Sequence, residues 1–178
     1  DSPRIPSLAS AGARLFYLAP PPDQGDADPR VRRALSWLDE CGLPSRIVYI
    51  STTGVYGDCA GAWVDELGVV DPQAPRAKRR ADAERSFRAW ADRHGKDVVI
   101  LRVAGIYGPG RLPLERLRRG LPLVREDEAP YTNRIHVDDL ARLCVAAMER
   151  GTPGAVYHGC DGHPSTMNDY FNRVADLA

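Results

Sequence analysis

The sequence lacks an excess of charge of either sign. Its 178 residues contain 24 Lys and Arg against 24 Asp and Glu, so the formal net charge is zero. A neutral chain supplies no overall electropositive field, which argues against binding to nucleic acid or to an anionic membrane surface. The arginine-rich stretches at 76–80 and 116–119 therefore do not predict a nucleic-acid partner.

Long apolar runs are also lacking. The apolar run 98–101 is interrupted by charge within a few residues, far short of the ~20 apolar residues that a membrane span needs. We therefore expect a protein without a membrane segment and with no membrane partner.

Paired metal ligands and paired cysteines are absent as well. No C-x-x-C occurs among the four scattered cysteines, which are Cys41, Cys59, Cys144 and Cys160. Neither a zinc site nor a disulfide framework is predicted from such spacing. The histidines at 94, 158 and 163 have no partners at metal-ligand spacing. We expect no metal, and free thiols in a cytoplasmic protein.

The sequence does contain a regular alternation of strand and helix patterns. Apolar runs at about 14–19, 46–51 and 97–104 are typical of buried strands, and helical patterns lie at 31–41 and 76–94. Alternation of this kind predicts parallel strands joined by right-handed crossovers. The fold class is predicted to be α/β, with these helices packed on the faces of one sheet.

The C-terminal third predicts shorter elements. We expect a short helix at about 114–119, a helix with Asp138 or Asp139 as its N-cap, a strand at 155–158 and a final helix that opens with a capping box at 166–169.

Three loops of unusual composition follow the three predicted strands, at 19–22, 51–57 and 104–110. In an open parallel sheet, ligands bind outside the carboxyl ends of the strands. Small residues in these loops let a planar ligand approach the backbone, and the three consecutive residues from Ser51 to Thr53 supply hydroxyl groups. The pattern predicts a ligand crevice without identifying the ligand.

Three segments resemble motifs of the extended short-chain dehydrogenase/reductase family, which includes the nucleoside-diphosphate-sugar epimerases and dehydratases. Residues 49–57, Y-I-S-T-T-G-V-Y-G, are similar to the S-S-x-x-V-Y-G that follows the family's fifth strand. Residues 101–110, L-R-V-A-G-I-Y-G-P-G, resemble its L-R-x-x-N-x-Y-G-P segment, and residues 135–141 match its I-H-V-D-D-L-A segment. The three motifs occur in the family's order.

The resemblance implies a Rossmann-like, doubly wound parallel sheet that binds NAD or NADP and acts on a small molecule such as a nucleotide sugar. The family's G-x-x-G-x-x-G turn has no counterpart, so we expect the N-terminal βαβ units to be absent from this sequence. Residues 1–178 would then form a single NAD(P)-binding domain fragment, with 111–178 contributing to the substrate side. The choice between NAD and NADP stays open, as does a homodimer.

Individual site residues follow from the same resemblance. Thr52 aligns with the family's catalytic Ser or Thr, the alternative being that it only ties down its loop. Cofactor contacts are expected at the strand ends and on the second long helix, from Ala19, Pro20, Ser51, Arg80, Ala104, Gly105 and Ile106. Substrate contacts are expected from Thr53, Tyr107 and Asn133.

The family's catalytic Tyr and Lys are missing. Counting back from Glu84 places these positions at Arg76 and Arg80. An arginine cannot replace the tyrosine as a base, because its pKa exceeds ~12. Arg80 could still grip a ribose or phosphate of the cofactor. For both arginines the alternative is a solvent-exposed helix face.

Two tyrosines outside the usual position are alternative phenols, Tyr56 and Tyr107, although the family uses both for packing. His136 is expected to be a structural residue at a helix start. Two functions therefore remain open: an NAD(P)-dependent epimerase, dehydratase or reductase with a degenerate catalytic motif, or an NAD(P)-binding sensor or scaffold without turnover.

Overall fold

A four-stranded parallel sheet forms the centre of the protein. The computed structural model describes residues 10–177, so both ends of the predicted domain, residues 1–9 and Ala178, lie outside it. The elements in chain order are β1 (Arg14–Tyr17), α1 (Pro29–Cys41), β2 (Arg46–Thr52), a 3₁₀ turn (Thr53–Tyr56), α2 (Pro75–His94), β3 (Asp97–Val103), β4 (Gly105–Tyr107), α3 (Leu114–Arg118), a second 3₁₀ turn (Glu126–Glu128), β5 (Tyr131–Thr132), β6 (Arg134–His136), α4 (Val137–Arg150), β7 (Val156–Gly159), β8 (Ser165–Thr166) and α5 (Met167–Asp176).

The strands of the central sheet follow the order β1-β2-β3-β7 and are all parallel. This arrangement confirms the predicted Rossmann-like α/β fold. Within the described residues β1 pairs only with β2, so it is an edge strand, and Phe16 and Leu18 near its end are exposed.

Both faces of the sheet are covered, which explains why its strands are continuously apolar. Ile47, Tyr49 and Ile100 face one way and pack in a core with α1 and α2. Val48 and Val99 face the other way and pack in a core with α4. The period of two along each strand therefore assigns alternate residues to two separate cores.

Helix α1 begins two residues earlier than its apolar pattern predicts. The carboxylate of Asp28 accepts a hydrogen bond from the backbone N–H of Val31 at 3.2 Å, and Pro29 occupies the first helical position. The buried stripe is the predicted one, since Val31, Leu35 and Leu38 are all buried.

The predicted cap of α4 is wrong. His136, rather than Asp138 or Asp139, is the N-cap, and its Nδ1 accepts the backbone N–H of Asp138 at 3.3 Å. The physical reason is that β6 runs directly into α4, so both aspartates already lie in the first helical turn. Carboxylates in the first turn stabilise a helix, because they interact favourably with the positive end of its dipole. The capping box predicted at 166–169 is present.

Short strands beyond β3 build a smaller unit that the sequence patterns did not predict in full. Strand β4 pairs in parallel with β6, and β5 pairs antiparallel with β8. Helices α3 and α5 pack against each other in the same part of the chain.

The four cysteines are free thiols. Over residues 10–177 no helix is long and apolar enough to cross a membrane. The same residues contain no group of three or more His, Cys, Asp or Glu side chains that could hold a metal ion.

A buried ion pair joins α2 to the sheet. Arg102 of β3 donates from Nη2 to Glu84 Oε2 at 2.8 Å and from Nε to Glu84 Oε1 at 3.2 Å. Each side chain is only 5% exposed. The Ser51 hydroxyl of β2 donates to Glu84 Oε1 at 2.5 Å. One carboxylate on α2 therefore binds both central strands.

Removing this carboxylate is expected to be costly. Glu84→Ala leaves the Arg102 guanidinium buried without its counter-charge, a situation that typically costs ~3–5 kcal/mol. The free energy of unfolding, measured in urea, should fall by about that amount. Glu149→Ala, an exposed glutamate on α4, is the control and should change it by less than ~0.5 kcal/mol. Equal effects of the two substitutions would contradict this role of Glu84.

Candidate cofactor and substrate site

Loops that follow the carboxyl ends of the strands meet at one edge of the sheet, as predicted. Ala19 after β1 and Ile50 in β2 are linked through one side chain of α2, because both carbonyls accept hydrogen bonds from Arg80. At the other end of the edge, the backbone N–H of Ala104 after β3 donates to Gly159 O of β7 at 3.0 Å. The crevice expected at this edge stays a prediction.

Arg80 is buried at this edge rather than exposed on the helix face. Its Nη1 lies 2.8 Å from Ile50 O, 3.3 Å from Ala19 O and 3.2 Å from the Tyr49 hydroxyl. Its Nε is buried and has no hydrogen-bond partner among residues 10–177. An unpaired buried donor is costly in a folded protein. The guanidinium therefore has one hydrogen-bond donor without a partner in the described part of the chain.

The neighbouring loop after β1 is held by two more arginines. Arg30 donates to Pro20 O at 3.2 Å, and Arg79 donates to Gly25 O at 2.6 Å. Arg79, like Arg80, is buried and has an Nε without a partner in the described chain. Three arginines, with Arg80 at Ala19, thus donate to backbone carbonyls of the loop from Ala19 to Gly25.

Arg76 behaves differently from Arg80. It is exposed in the first turn of α2, which agrees with the alternative of a solvent-exposed helix face. Arg76 is therefore in solvent, whereas Arg80, four residues later on the same helix, is buried.

The two threonines lie side by side at the end of β2. Thr52 is half-buried, and its Oγ1 accepts the backbone N–H of Gly54 at 3.2 Å, so it caps the 3₁₀ turn. Thr52 therefore ties down its loop, which was the alternative to a catalytic role. Its hydroxyl acts only as an acceptor in this hydrogen bond, so the hydroxyl proton is not used by it. Thr53 is also half-buried.

Ser51 and Tyr56, which flank these threonines, are committed to the interior. Ser51 is buried and directs its hydroxyl to Glu84, so a cofactor would meet its backbone rather than its side chain. Burial raises the pKa of Tyr56, although the nearby Arg102 guanidinium lowers it. Burial likewise raises the pKa of Tyr49 to about 12. These buried phenols are therefore poorly suited to act as bases at neutral pH.

The predicted site residues Ala104, Gly105 and Ile106 lie where the central sheet joins the smaller unit formed by the short strands after β3. Ala104 and Ile106 are half-buried, and Gly105 is exposed. The backbone N–H of Gly105 donates to Asn133 O at 3.1 Å. Asn133 itself is exposed, so its side chain faces solvent at the junction of β4 and β6.

Tyr107 lines a cavity of about 780 Å³ between the end of β4 and helices α3 and α5. Its ring packs edge-on against His136, with the ring centroids 5.3 Å apart. Leucine side chains supply much of the wall, and two guanidinium groups, those of Arg118 and Arg173, also line it. An apolar cavity with cationic groups suits a ligand that is partly aromatic and carries negative charge.

Sequence reasoning missed Arg118, Arg173 and the lining residue Tyr170. The helical spacing of Tyr170, Arg173 and Val174 places them on one face of α5, and Leu177 at the C-cap continues it. For the α5 residues this spacing was the only indication available. It also missed the contacts of Arg102 within the site, because they join residues far apart in the chain.

A family model described as the NAD dependent epimerase/dehydratase family matches residues 30–158. The dTDP-glucose 4,6-dehydratase of Streptomyces niveus is 37% identical over 126 residues, which cover 64% of this chain and 36% of that protein. Protein YeeZ of Escherichia coli (strain K12) is 29% identical over 182 residues, which cover 99% of this chain and 63% of that protein. The chain thus spans from about a third to less than two thirds of the length of these relatives.

The chain also superposes on solved structures that have the same fold. A functionally unknown conserved protein from Silicibacter pomeroyi superposes with a TM-score of 0.78 at 34% identity, covering 93% of this chain and 57% of that one. MoeE5, solved in complex with UDP-glucose and NAD, superposes with a TM-score of 0.78 at 25% identity, covering 93% and 62%. Since the family model extends over well over half of its residues, the chain belongs to the NAD-dependent epimerase/dehydratase family.

Proposed function

We propose that this chain forms part of an NAD(P)-binding protein that acts on a nucleotide sugar or a similar small molecule, with Arg76 and Arg80 in place of the family's Tyr and Lys. The observation that carries the proposal is the position of Arg80. It is buried between the ends of β1 and β2, at the edge where the family binds its cofactor, and its Nε is unpaired among the described residues.

The cofactor would be held by the backbone of two strand ends and by one charge. Ala19 and Pro20 are exposed, so a planar ring or a ribose can approach their backbone. Arg80 would donate a charge-assisted hydrogen bond to a ribose hydroxyl or a phosphate oxygen. On the far side, Ala104 to Ile106 would close the site. A bound nicotinamide would supply hydride transfer, and NAD and NADP both remain candidates.

The substrate would be held by the C-terminal part, residues 111–177. The cavity next to Tyr107 combines an apolar wall with Arg118 and Arg173, which suits a base and a diphosphate. Thr53 and Asn133 would contact the sugar from the sheet side. MoeE5, a relative in structure, was solved with UDP-glucose and NAD, and its ligand is of this chemical class.

A second candidate function is binding without turnover. Arg76 is exposed, and the buried phenol of Tyr56 is engaged by other side chains. Thr52 is then the remaining hydroxyl group at the proposed reacting position. A threonine hydroxyl can orient a substrate oxygen, but without a partner base it does not remove a proton. A sensor or scaffold that uses the cofactor site alone fits this arrangement.

Cofactor affinity tests the position of Arg80. In the full-length protein, Arg80→Ala should raise the dissociation constant for NAD or NADP about tenfold or more, because a charge-assisted hydrogen bond is worth ~1.5–3 kcal/mol. Arg76→Ala, an exposed arginine one turn away, and Thr52→Ala should leave it nearly unchanged. Calorimetry at fixed salt measures all four proteins. Wild-type affinity in Arg80→Ala would show that Arg80 only ties β1 to β2.

Turnover separates the two candidate functions. The full-length protein would be incubated with NAD or NADP and a panel of nucleotide sugars, and products would be separated by chromatography. If the protein is an enzyme, Thr52→Val should lower kcat/KM by roughly tenfold or more at unchanged cofactor affinity, because the substrate loses one hydrogen bond in the transition state. Cofactor binding without any product from the panel would support the sensor or scaffold.

A further inference from the structure

The short parallel strands β4 and β6 bring two residue pairs to one face. In their register Gly105 lies opposite Arg134. Two residues further along each strand, Tyr107 lies opposite His136, and this second pair lines the cavity between β4, α3 and α5. Because residues two apart in a strand point to the same face, the first pair lies next to the cavity wall on that face.

The side chain of Arg134 lies across Gly105. A Cβ at residue 105 would be 3.0 Å from Arg134 Nη1 and 3.3 Å from its Cδ, which is closer than ordinary van der Waals contact. Nη1 donates to Asn133 O at 3.1 Å. Among residues 10–177 no carboxylate forms an ion pair with Arg134. The missing side chain of Gly105 therefore provides the space in which this guanidinium lies.

The same guanidinium stacks on a residue of α5. Arg134 Cζ lies 4.1 Å from the centroid of the Tyr170 ring, the shortest of the four arginine–ring contacts in the described part of the chain. Both side chains are half-buried. A guanidinium is planar and weakly hydrated, so its contact with the face of an aromatic ring is favourable where water has only partial access. Arg134 thus links β6 to α5.

The Tyr170 ring lines the cavity but is not fixed by its hydroxyl. Over residues 10–177 the tyrosine hydroxyls that form hydrogen bonds are those at positions 49, 56 and 157. The neighbouring Phe171 ring lies 5.8 Å away, edge-on, and belongs to the same helix. The buried residues of α5 are Asn168 and Val174, so apolar burial holds this helix at few points. The position of the Tyr170 ring relative to the strand pair therefore depends on its contact with Arg134.

We propose that Arg134 is a positioning residue for ligand binding: its guanidinium holds the Tyr170 ring in the wall of the cavity, in the space left by Gly105. Tyr107 and His136 belong to the strand pair, whereas Tyr170 belongs to α5. The stacked arginine keeps these two parts of the wall in a fixed relation, so a ligand meets a preformed surface and loses less affinity in ordering it.

The composition of the cavity indicates which class of ligand this surface fits. An aromatic group can pack offset or edge-on against Tyr170, and Arg118 and Arg173 supply positive charge. The class is therefore a flat aromatic group that carries an anionic substituent. That this ligand is the base and diphosphate of a nucleotide sugar rests on the proposed function, whereas the role of Arg134 does not.

Two fluorescent probes test the proposal in the full-length protein. Anilinonaphthalene sulfonate is aromatic and anionic, and phenylnaphthylamine is its neutral analogue. Arg134→Met should raise the dissociation constants of both probes about three- to tenfold, the range that a partly buried cation–π contact gives. Tyr170→Ala should raise both at least as much, and the binding that it weakens is the binding in this cavity. Tyr170→Phe keeps the ring and should bind like the wild type.

A double-mutant cycle separates an action through Tyr170 from an independent one. If Arg134 acts through the ring, adding Arg134→Met to Tyr170→Ala should leave the affinity nearly unchanged, whereas independent effects multiply. Arg134→Lys keeps the charge without the planar stack and should restore only part of the affinity. Arg142→Met, which removes an exposed arginine paired with Asp139 on α4, is the control and should bind like the wild type. Urea unfolding checks that each variant is folded.

Four results would overturn the proposal: no saturable binding of either probe by the wild type, wild-type affinity in Arg134→Met or Tyr170→Ala, effects that multiply in the double variant, or a loss confined to the anionic probe. The last would indicate that Arg134 contacts the ligand by its charge. If both probes respond as expected while UDP-glucose does not bind, the positioning role of Arg134 is supported and the proposed function is wrong.

Discussion

The buried ion pair between Arg102 and Glu84 is the constraint on which the rest of this structure depends. A charge that has lost its water must be matched by partners of defined geometry, so the pair fixes α2 against β2 and β3. The same guanidinium holds the Tyr56 hydroxyl. Because Arg80 lies one turn before Glu84 on α2, its position at the strand ends is determined by this pair too. The ion pair between Arg102 and Glu84 therefore both stabilises the fold and positions the residues of the candidate site.

Local patterns predicted the secondary structure of the core well, because each element carries its own periodicity. The stripe of Val31, Leu35 and Leu38 and the apolar run of β3 both appear where expected. The starts of α1 and α4 were less predictable, since an N-cap depends on which side chain reaches the first free N–H groups. At α4 that side chain belongs to His136, which a strand places there.

The candidate site was only partly predictable, for a different reason. The loops at the strand ends could be found because parallel strands share a carboxyl edge, but the environment of Arg80 could not. Arginine on a helix is usually exposed, and its burial depends on acceptors from Ala19 and Ile50, thirty and more residues earlier in the chain. The contact between Tyr56 and His158 spans about a hundred residues and leaves no local pattern at all.

The edge position of β1 has a practical consequence for handling this stretch of chain by itself. One side of the strand pairs with β2, while the N–H and C=O groups of the other side have no strand partner within the described residues. Exposed Phe16 and Leu18 lie along it, and no proline interrupts Arg14–Tyr17. Unprotected edges of this kind recruit further strands. Residues 1–178 expressed in isolation would therefore be prone to intermolecular strand addition, and solubility would improve when a neighbouring strand covers β1.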